Sequence, residues 1–261
     1  MMKIHSPGKP YKGMAVVNYF KISSIDDYKK SLQATSVKLP NRAAYEAYIC
    51  EHDKRFHFFE SLDRAVSGAE AVLFLSVGDG AKEFFFINKY PEKAITISDV
   101  DASVLQRIKE FSNSTRCNIL VSTSLQVPVP DESFDAICVL NAEYFYNDNG
   151  LQKMLNEMAR ILRKGGSLYL ASYCIIPPNA SFSDAARASI AKLLNKSTIL
   201  AIFTNLLFKF RLVAFSGYRR TLSDFVSVFT RSPLCLKKIE FEGGAKEPKL
   251  GGLAALFELR K

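Results

Sequence analysis

The most constraining stretch of the sequence is VLFLSVGDGAKEFFF, which runs from Val72 to Phe86. Its first residues are apolar without alternation, which is typical of a strand buried on both faces of a sheet. Gly78 and Gly80 then form a turn that leads into a second apolar run with helical potential. Glycines allow positive φ and the close approach of a ligand, and free N–H groups at a helix start attract anions. A nucleotide-like cofactor site is one interpretation of this turn, and close packing is the other.

Strand-like and helix-like runs alternate after this turn. The patterns predict strands over 72–77, 94–98, 118–122, 134–140 and 167–173, and helices over 81–89, 101–111 and 150–163. Strands separated by single helices indicate right-handed βαβ crossovers and a parallel sheet. Two later runs, LKKIEFEGG and LAALFELRK, predict an antiparallel hairpin at the sheet edge. The predicted fold is α/β, with a Rossmann-like, doubly wound, mostly parallel seven-stranded sheet.

Two helical segments accompany this predicted domain, which occupies residues 67–261. Residues 1–66 are predicted to form an N-terminal arm and a helical flank or lid. A mostly helical insertion is predicted at about 181–229, where STILAIFTNLLFKFRLVAF is the most apolar run of the chain. Polar and charged residues interrupt this run before it reaches the roughly 20 apolar residues of a membrane span. A cover over the site is the favoured interpretation, and peripheral contact with a membrane surface is the alternative.

The charge and the cysteines limit the class of protein. A formal net charge of +9 favours anionic partners, but no long block of like charge selects nucleic acid, a phosphorylated metabolite or a membrane. The five cysteines are scattered without a C-x-x-C pair, which indicates buried thiols in a reducing compartment. The N-terminus lacks the apolar core of a signal peptide. We therefore expect a cytoplasmic protein with no metal site.

An acidic residue ends the second predicted strand. Asp99 follows the glycine turn by about 20 residues, where α/β cofactor folds place the carboxylate that binds ribose hydroxyls. Asp101 is predicted to cap the next helix. Glu83 occupies the third glycine position of a dinucleotide fingerprint, where its charge would repel a pyrophosphate. The pattern therefore disfavours NAD.

Four motifs then follow one another along the chain. They are LSVGDG, ITISDVDASVL, VPVPDESFDAICVLNAEYF and MLNEMARILRKGGSLYLASY. Their succession resembles the class I S-adenosylmethionine-dependent methyltransferases, in particular the small-molecule branch that includes quinone-biosynthesis enzymes. The resemblance covers residues 70 to 175 and implies a methyltransferase that uses S-adenosylmethionine. The acceptor would be a small or lipid- or nucleotide-linked metabolite, such as a glycan or a quinone-like phenol, methylated on oxygen.

The resemblance also implies which residues bind the cofactor. They are Ser76, Val77, Gly78, Asp79 and Gly80 for the methionine end, Asp99 and Val100 for the ribose, Thr123, Ser124 and Leu125 for the adenine rim, and Asn141 facing the sulfonium. Phe134, Asp135, Arg160, Gly165 and Gly166 are expected to be structural.

Candidate acceptor residues follow the fourth strand and the insertion. Glu143, Tyr144 and His57 are the candidate catalytic residues, and Tyr144, Tyr146, Arg211 and Arg219 are the candidate acceptor-binding residues. Methyl transfer from a sulfonium is an in-line displacement, so the protein supplies alignment, desolvation and, for a hydroxyl acceptor, a base. Simple packing of Tyr144 and a solvated surface for His57 remain alternatives. Beside the apolar insertion lie four cations, Lys209, Arg211, Arg219 and Arg220, which suit an amphiphilic or phosphate-bearing acceptor such as a lipid- or nucleotide-linked sugar. A solvated helix end is the alternative.

Three positions depart from the motifs of this family. Ser76 replaces an acidic residue, Lys82 replaces the third glycine, and Thr123 stands where an aspartate often contacts adenine. A degenerate fold that serves as a non-catalytic binding or scaffold subunit is therefore the leading alternative. An RNA methyltransferase is the second, supported by the net charge and opposed by NAEY in place of an N-P-P-Y-like tetrad. Nucleic acid is not the predicted partner, and no oligomeric state is predicted.

Overall fold

The computed structural model describes Leu39 and residues 41–52, 58–78, 80–140, 142–176, 220–242 and 253–261. The predicted N-terminal arm and most of the predicted insertion at 181–229 lie outside these ranges.

Six α-helices lie within the described residues. They are α1 (Arg42–His52), α2 (Phe59–Gly68), α3 (Ala81–Lys89), α4 (Ala102–Phe111), α5 (Asp148–Ile161) and α6 (Leu222–Phe229), with a 3-10 turn at Glu143–Phe145 before α5. The predicted cap of α4 is confirmed, because the carboxylate of Asp101 accepts a hydrogen bond from the Ser103 N–H at 3.0 Å. Thr221 and Asp224 form a capping box at the start of α6.

Eight strands form one sheet in the described part of the chain. They are β1 (Ala71–Leu75), β2 (Ala94–Asp99), β3 (Asn118–Val121), β4 (Phe134–Leu140), β5 (Leu162–Ile176), β6 (Arg220–Thr221), β7 (Cys235–Glu242) and β8 (Leu253–Arg260). The strand order is β3-β2-β1-β4-β5-β8-β7, and β6 pairs with the carboxyl end of β5. Strands β1 to β6 pair in parallel, whereas β8 is antiparallel to both β5 and β7. The predicted mostly parallel α/β sheet with an antiparallel hairpin is confirmed, and the short β6 adds an eighth strand.

Helices cover both faces of this sheet, which explains why the central strands are continuously apolar. Along β1, Val72 and Phe74 pack toward α1 to α4, whereas Leu73 and Leu75 pack toward α5 and α6. All four side chains are almost completely buried. The two apolar clusters hold the carboxyl ends of β1, β2 and β4 in fixed positions beside one another.

The N-terminal helices pack against the first crossover. Tyr45 of α1 is fully buried, and its ring lies 4.8 Å from the ring of Phe84 on α3. Phe59 of α2 stacks on Phe86 of α3 at 6.1 Å. Phe58 begins α2 with a φ of 59° and stacks on Tyr173 of β5. The helical flank predicted for this region is therefore part of the apolar cluster on one face of the sheet.

The bounds of α5 and β5 differ from the predicted ones. The predicted helix spans 150–163, whereas α5 begins at Asp148, because the Asn147 side chain caps it by accepting a hydrogen bond from the Gly150 N–H at 2.9 Å. Strand β5 begins directly at Leu162 and pairs with β4 through an irregular register. Gly166 lies at this irregularity, where a Cβ atom would meet the Asp135 carbonyl oxygen at 2.9 Å.

Arg160 holds the loop before β4 against α5. Its guanidinium donates to the carbonyl oxygens of Val127 and Val129, each at 2.9 Å, and it pairs with Asp131 and Glu157. The hydrogen bonds from Arg160 hold the pKa of the Glu157 carboxyl below its usual value, although burial opposes them. Arg160 therefore supports the loop that precedes β4 as well as the helix that precedes β5.

Candidate active site

The turn after β1 is a compact loop with three left-handed residues. Ser76, Gly78 and Gly80 have φ values of 59°, 62° and 76°. The N–H groups of Ser76 and Val77 donate to the Ser98 carbonyl oxygen, at 2.8 and 3.3 Å, which ties the loop to the end of β2. A Cβ atom on Gly80 would lie 2.0 Å from Cδ1 of Ile108, so this glycine is required by both φ and space.

Asp99 lies at the carboxyl end of β2, and only 2% of its surface is exposed. One carboxylate oxygen accepts from the Gly78 N–H at 3.2 Å, and the other accepts from the Asp101 N–H at 3.0 Å. Burial raises the pKa of Asp99 to about 6, against the opposing effect of these hydrogen bonds. The carboxylate therefore joins the two loops that the sequence assigned to the cofactor.

The segment after β3, which is predicted to form the adenine rim, is bonded to the end of β2 through backbone and hydroxyl groups. The Ser122 N–H donates to the Asp99 carbonyl oxygen, and the Ser122 and Ser98 hydroxyls are hydrogen-bonded at 2.7 Å. The buried Ser124 hydroxyl is hydrogen-bonded to the hydroxyl of Tyr146. Burial and the nearby charge of Asp99 raise the pKa of the Tyr146 phenol. Asp99, Ser124 and Tyr146 therefore converge at the carboxyl edge of the sheet.

Glu143 is the first residue of the 3-10 turn after β4, and it is 1% exposed. The Ser172 hydroxyl lies beside the Glu143 carboxyl and lowers its pKa through hydrogen bonding. The charge of Arg220 also lowers this pKa, but burial outweighs both effects and raises it to about 7. A carboxyl group with this pKa can take up a proton near neutral pH.

The remaining residues of this turn differ in their surroundings. The ring of Tyr144 is buried and lies 4.3 Å from the ring of Phe145, which favours the packing interpretation of Tyr144. Tyr146 is partly exposed and contacts Ser124, as described above. Both tyrosines stay predicted acceptor-binding residues, and Tyr146 is the one that reaches the adenine-side segment.

Lys82, which replaces the third glycine of the first motif, turns toward β5. Its ammonium donates to the Tyr173 hydroxyl at 3.0 Å and lies 4.9 Å from the centre of that ring. Tyr173 in turn stacks on Phe58. The Lys82 side chain therefore joins the start of α3 to β5 and the N-terminal flank.

The structure brings most of the predicted site residues together. Ser76, Val77, Gly78, Gly80, Asp99, Val100, Thr123, Ser124, Leu125, Glu143, Tyr144 and Tyr146 all lie just beyond or at the carboxyl ends of β1 to β4. Leu125 is 37% exposed at the rim, and Thr123 forms an isolated bridge with Gln126. Asp79, Asn141, His57, Arg211 and Arg219 lie outside the described residues.

Arg220 is the residue that sequence reasoning placed wrongly. It was grouped with three neighbouring cations that fit a solvated helix end, yet its side chain is 0% exposed. It pairs with Asp148 at 2.9 Å and lies over the ring of Phe225. A local signal was present, because Arg220 directly precedes the capping residue Thr221 in a sequence that then turns apolar.

The donor set of this edge suits S-adenosylmethionine. The Asp99 carboxylate accepts backbone hydrogen bonds on both oxygens, and because a carboxylate offers about four lone-pair sites it can still accept from a ribose hydroxyl. Gly78 and Gly80 in the turn after β1 have no side chain, so a ligand can approach the main chain closely at these two positions. The residues present therefore fit this cofactor.

Comparisons with known proteins agree with this fit. Residues 72–166 match a family model described as a methyltransferase domain. A ubiquinone/menaquinone biosynthesis C-methyltransferase of Dinoroseobacter shibae is 28% identical over 117 residues, which cover 43% of this chain and 46% of that protein. The chain thus matches about half the length of this curated relative.

Solved structures share the fold at low sequence identity. Human N-acetylserotonin methyltransferase in complex with S-adenosylmethionine superposes with a TM-score of 0.55 and 15% identity, over 97% of this chain and 60% of that one. A methyltransferase-like protein of Bacillus halodurans gives a TM-score of 0.51 and 18% identity, over 74% of this chain and 93% of that one. The match over residues 72–166, the curated relative and the shared fold together support a class I S-adenosylmethionine-dependent methyltransferase with a Rossmann-like sheet.

No described helix is long and apolar enough to cross a membrane. No group of three or more His, Cys, Asp and Glu side chains in the described ranges is arranged to hold a metal ion.

Proposed function

We propose that the protein methylates an oxygen of a small or lipid- or nucleotide-linked metabolite, with S-adenosylmethionine as the methyl donor. The observation that carries the proposal is the buried Asp99 carboxylate at the end of β2, bonded to the Gly78 N–H of the turn after β1. The sequence resemblance supports a quinone-like phenol as the acceptor, and the cations beside the apolar insertion support a lipid- or nucleotide-linked glycan.

When bound, S-adenosylmethionine supplies an electrophilic methyl group on its sulfonium. Ser76, Gly78, Gly80 and the Asp99 carboxylate, at the carboxyl ends of β1 and β2, are the groups that would hold the cofactor. Tyr146 and Ser124 close the adenine side through their shared hydrogen bond. Glu143 takes the proton from a hydroxyl acceptor onto its carboxylate, because its pKa of about 7 leaves part of the population ionised at neutral pH.

A carbon acceptor is the second candidate. The observation that favours it is the similarity to the Dinoroseobacter shibae relative, which is a C-methyltransferase. Transfer of a ¹³C-labelled methyl group, followed by NMR of the product, distinguishes a methoxy carbon from a methyl group attached to carbon.

Calorimetric titration with S-adenosylmethionine and S-adenosylhomocysteine tests the cofactor site. We expect Asp99→Asn to weaken binding of both about tenfold to hundredfold, because a charge-assisted hydrogen bond contributes roughly 1.5–3 kcal/mol. Asp135→Asn is the matched control, because Asp135 also accepts two backbone N–H groups, from Glu70 and Ala71, but at the amino ends of the strands.

The outcomes separate the hypotheses. Binding that is lost in Asp99→Asn and retained in Asp135→Asn supports the enzyme and justifies an acceptor screen that begins with glycans and phenols. Failure of the wild-type protein to bind either compound would favour the scaffold hypothesis. Salt-sensitive RNA binding without methylation of small acceptors would favour the RNA methyltransferase.

A further inference from the structure

Arg220 enters the fold where the chain returns to the sheet after residue 219. Its backbone lies in the two-residue strand β6, which pairs in parallel with Ile175 and Ile176 at the carboxyl end of β5. Its side chain is fully buried, with the guanidinium 5.7 Å from the centre of the Phe225 ring. A buried guanidinium is costly unless its N–H groups meet acceptors, so its partners indicate what it does.

Arg220 donates three hydrogen bonds to the stretch 143–148, which comprises the turn after β4 and the first residue of α5. Nε donates to the Asp148 carboxylate at 2.9 Å, and the two terminal nitrogens donate to the carbonyl oxygens of Glu143, at 3.4 Å, and Tyr146, at 2.6 Å. A planar guanidinium can meet acceptors in three directions at once, which an ammonium on a single stem cannot. Arg220 therefore holds both ends of the 3-10 turn and the first residue of α5.

This turn carries two candidate functional side chains. At one end, Tyr146 is hydrogen-bonded to Ser124 and lies near the charge of Asp99. At the other end, the Glu143 carboxyl is buried beside Ser172 of β5. The position of both side chains depends on the backbone that Arg220 holds.

We propose that Arg220 is a positioning residue that fixes the turn after β4 at three points and so places Glu143 and Tyr146 at the cofactor end of the sheet. The proposal rests on the proposed methyltransferase function, since it concerns residues of that same site. Arg220 acts through the turn, and it needs no contact with the donor or the acceptor.

The charges around Glu143 give this role a specific readout. The groups that face it are the Arg220 guanidinium and the Ser172 hydroxyl, both of which lower its pKa against the effect of burial. Arg220 itself is surrounded by the carboxylates of Asp148 and Asp224 as well as Glu143. Removal of the cation takes away one of the effects that oppose burial, whereas the hydrogen bonds from Ser172 and from the Glu143 backbone remain, so the carboxyl stays protonated to somewhat higher pH.

The experiment compares Arg220→Gln and Arg220→Lys with the wild-type protein in two measurements. Infrared difference spectroscopy follows the protonation of Glu143, assigned through the carboxyl band that Glu143→Gln lacks. Calorimetry measures the affinity for S-adenosylhomocysteine. Arg163→Gln is the matched control, because Arg163 also donates to a carbonyl and a carboxylate, those of Glu132 and Asp135, at the opposite edge of the sheet.

We expect Arg220→Gln to raise the midpoint of the Glu143 titration by about half a pH unit and to weaken the binding of S-adenosylhomocysteine about tenfold. In Arg220→Lys the charge is retained, so the midpoint stays within about 0.2 unit of the wild-type value. The affinity still falls about threefold or more, because lysine cannot span the three acceptors. Arg163→Gln changes neither quantity.

The proposal is overturned if a folded Arg220→Gln variant titrates and binds like the wild-type protein. If that variant does not fold, wild-type affinity in Arg220→Lys overturns it equally. If the wild-type protein fails to bind S-adenosylhomocysteine, the methyltransferase function fails, whereas the Glu143 midpoint in Arg220→Gln still shows whether the Arg220 charge lies close enough to act on Glu143.

Discussion

The hydroxyl of Tyr146 is hydrogen-bonded to the hydroxyl of Ser124, which joins the turn after β4 to the segment after β3. The two residues follow strands β3 and β4, which are not neighbours in the sheet, so this bond spans the carboxyl ends of β2 and β1 between them. The Ser124 side chain is buried. The pair therefore fixes the turn after β4 against the segment after β3 through a buried contact.

A double-mutant cycle on this pair tests its part in cofactor binding. We expect Tyr146→Phe and Ser124→Ala each to weaken S-adenosylhomocysteine about threefold to tenfold, and the double variant to lose little more than either single one. Tyr90→Phe is the control, because the Tyr90 hydroxyl also has a side-chain partner, Asp63, far from the site. Fully additive losses would show that the two hydroxyls act independently.

The tight contact between Gly80 and Ile108 predicts a sensitive position. Gly80→Ala places a methyl group 2.0 Å from Cδ1 of Ile108 and forces a φ of 76° on an L residue. We expect a loss of about 2–3 kcal/mol in the free energy of unfolding, measured by urea denaturation. The fold absorbs part of this contact only by moving the end of the Ile108 side chain.

Gly68 provides the matched control for this substitution. It lies in the last turn of α2, where a Cβ atom would meet nothing within 4 Å and φ lies outside the left-handed range. Gly68→Ala should be neutral or stabilising by up to about 1 kcal/mol. In Gly80→Ala, replacement of Ile108 by Val should recover part of the loss, namely the part due to the clash. Equal effects of the two glycine substitutions would contradict this account.

The local parts of this structure follow from the sequence. The buried strand, the glycine turn and the acidic end of β2 lie within a single βαβ unit, so short-range patterns predict them. The cap at Asp101 is likewise a local signal, since its acceptor and donor are two residues apart. For the same reason the positions of Gly78, Asp99 and Ser124 beside one another could be anticipated from parallel strand ends.

The parts that depend on distant contacts do not follow from local patterns. Arg220 is a charged residue in a basic neighbourhood, and its burial results from acceptors at Glu143, Tyr146 and Asp148, more than seventy positions earlier. The charge of Arg220 also affects the pKa of Glu143, and this pKa cannot be predicted from the composition or the spacing of the sequence. Lys82 is similar, because its side chain reaches Tyr173 across the sheet.

Substitution of Lys82 tests whether it obstructs the cofactor. Because its ammonium bonds to Tyr173, we expect Lys82→Met to lower the free energy of unfolding by about 1 kcal/mol. The affinity for S-adenosylhomocysteine should stay within about threefold of the wild-type value. Lys89→Met is the control on the same helix, since Lys89 also lies over an aromatic ring, that of Phe59. A tenfold gain in affinity specific to Lys82→Met would identify Lys82 as the cause of weak binding.

Arg160 is predicted to be a structural residue that stabilises the loop before β4. Arg160→Gln removes bonds to two carbonyl groups and two carboxylates, so we expect a loss of about 2–3 kcal/mol in urea denaturation. Arg163→Gln should cost about 1 kcal/mol or less, because the Arg163 side chain is 45% exposed and its ion pair is more strongly solvated. Similar losses in the two variants would mean that the loop before β4 does not depend on Arg160.

The buried Glu143 carboxyl predicts a pH dependence of stability with a defined sign. Its pKa is raised from 4.5 to about 7 in the folded state, so the folded protein binds more protons than the unfolded chain between these values. The free energy of unfolding therefore decreases as the pH rises through this window and levels off above it. Glu143→Gln removes this contribution, because glutamine does not titrate.

The measurement is urea denaturation of the wild-type protein and of Glu143→Gln between about pH 5 and pH 8. Relative to wild type, the variant should gain stability with rising pH, by on the order of 2–3 kcal/mol across this range. Glu157→Gln is the control, because Arg160 lowers the pKa of Glu157 below 4.5, so the stabilisation is fully present above that value and the difference from wild type should stay constant across this range. Parallel stability curves for the wild-type protein and Glu143→Gln would show that Glu143 titrates as an ordinary solvated carboxyl, and the assignment of this residue as a base at neutral pH would then be withdrawn.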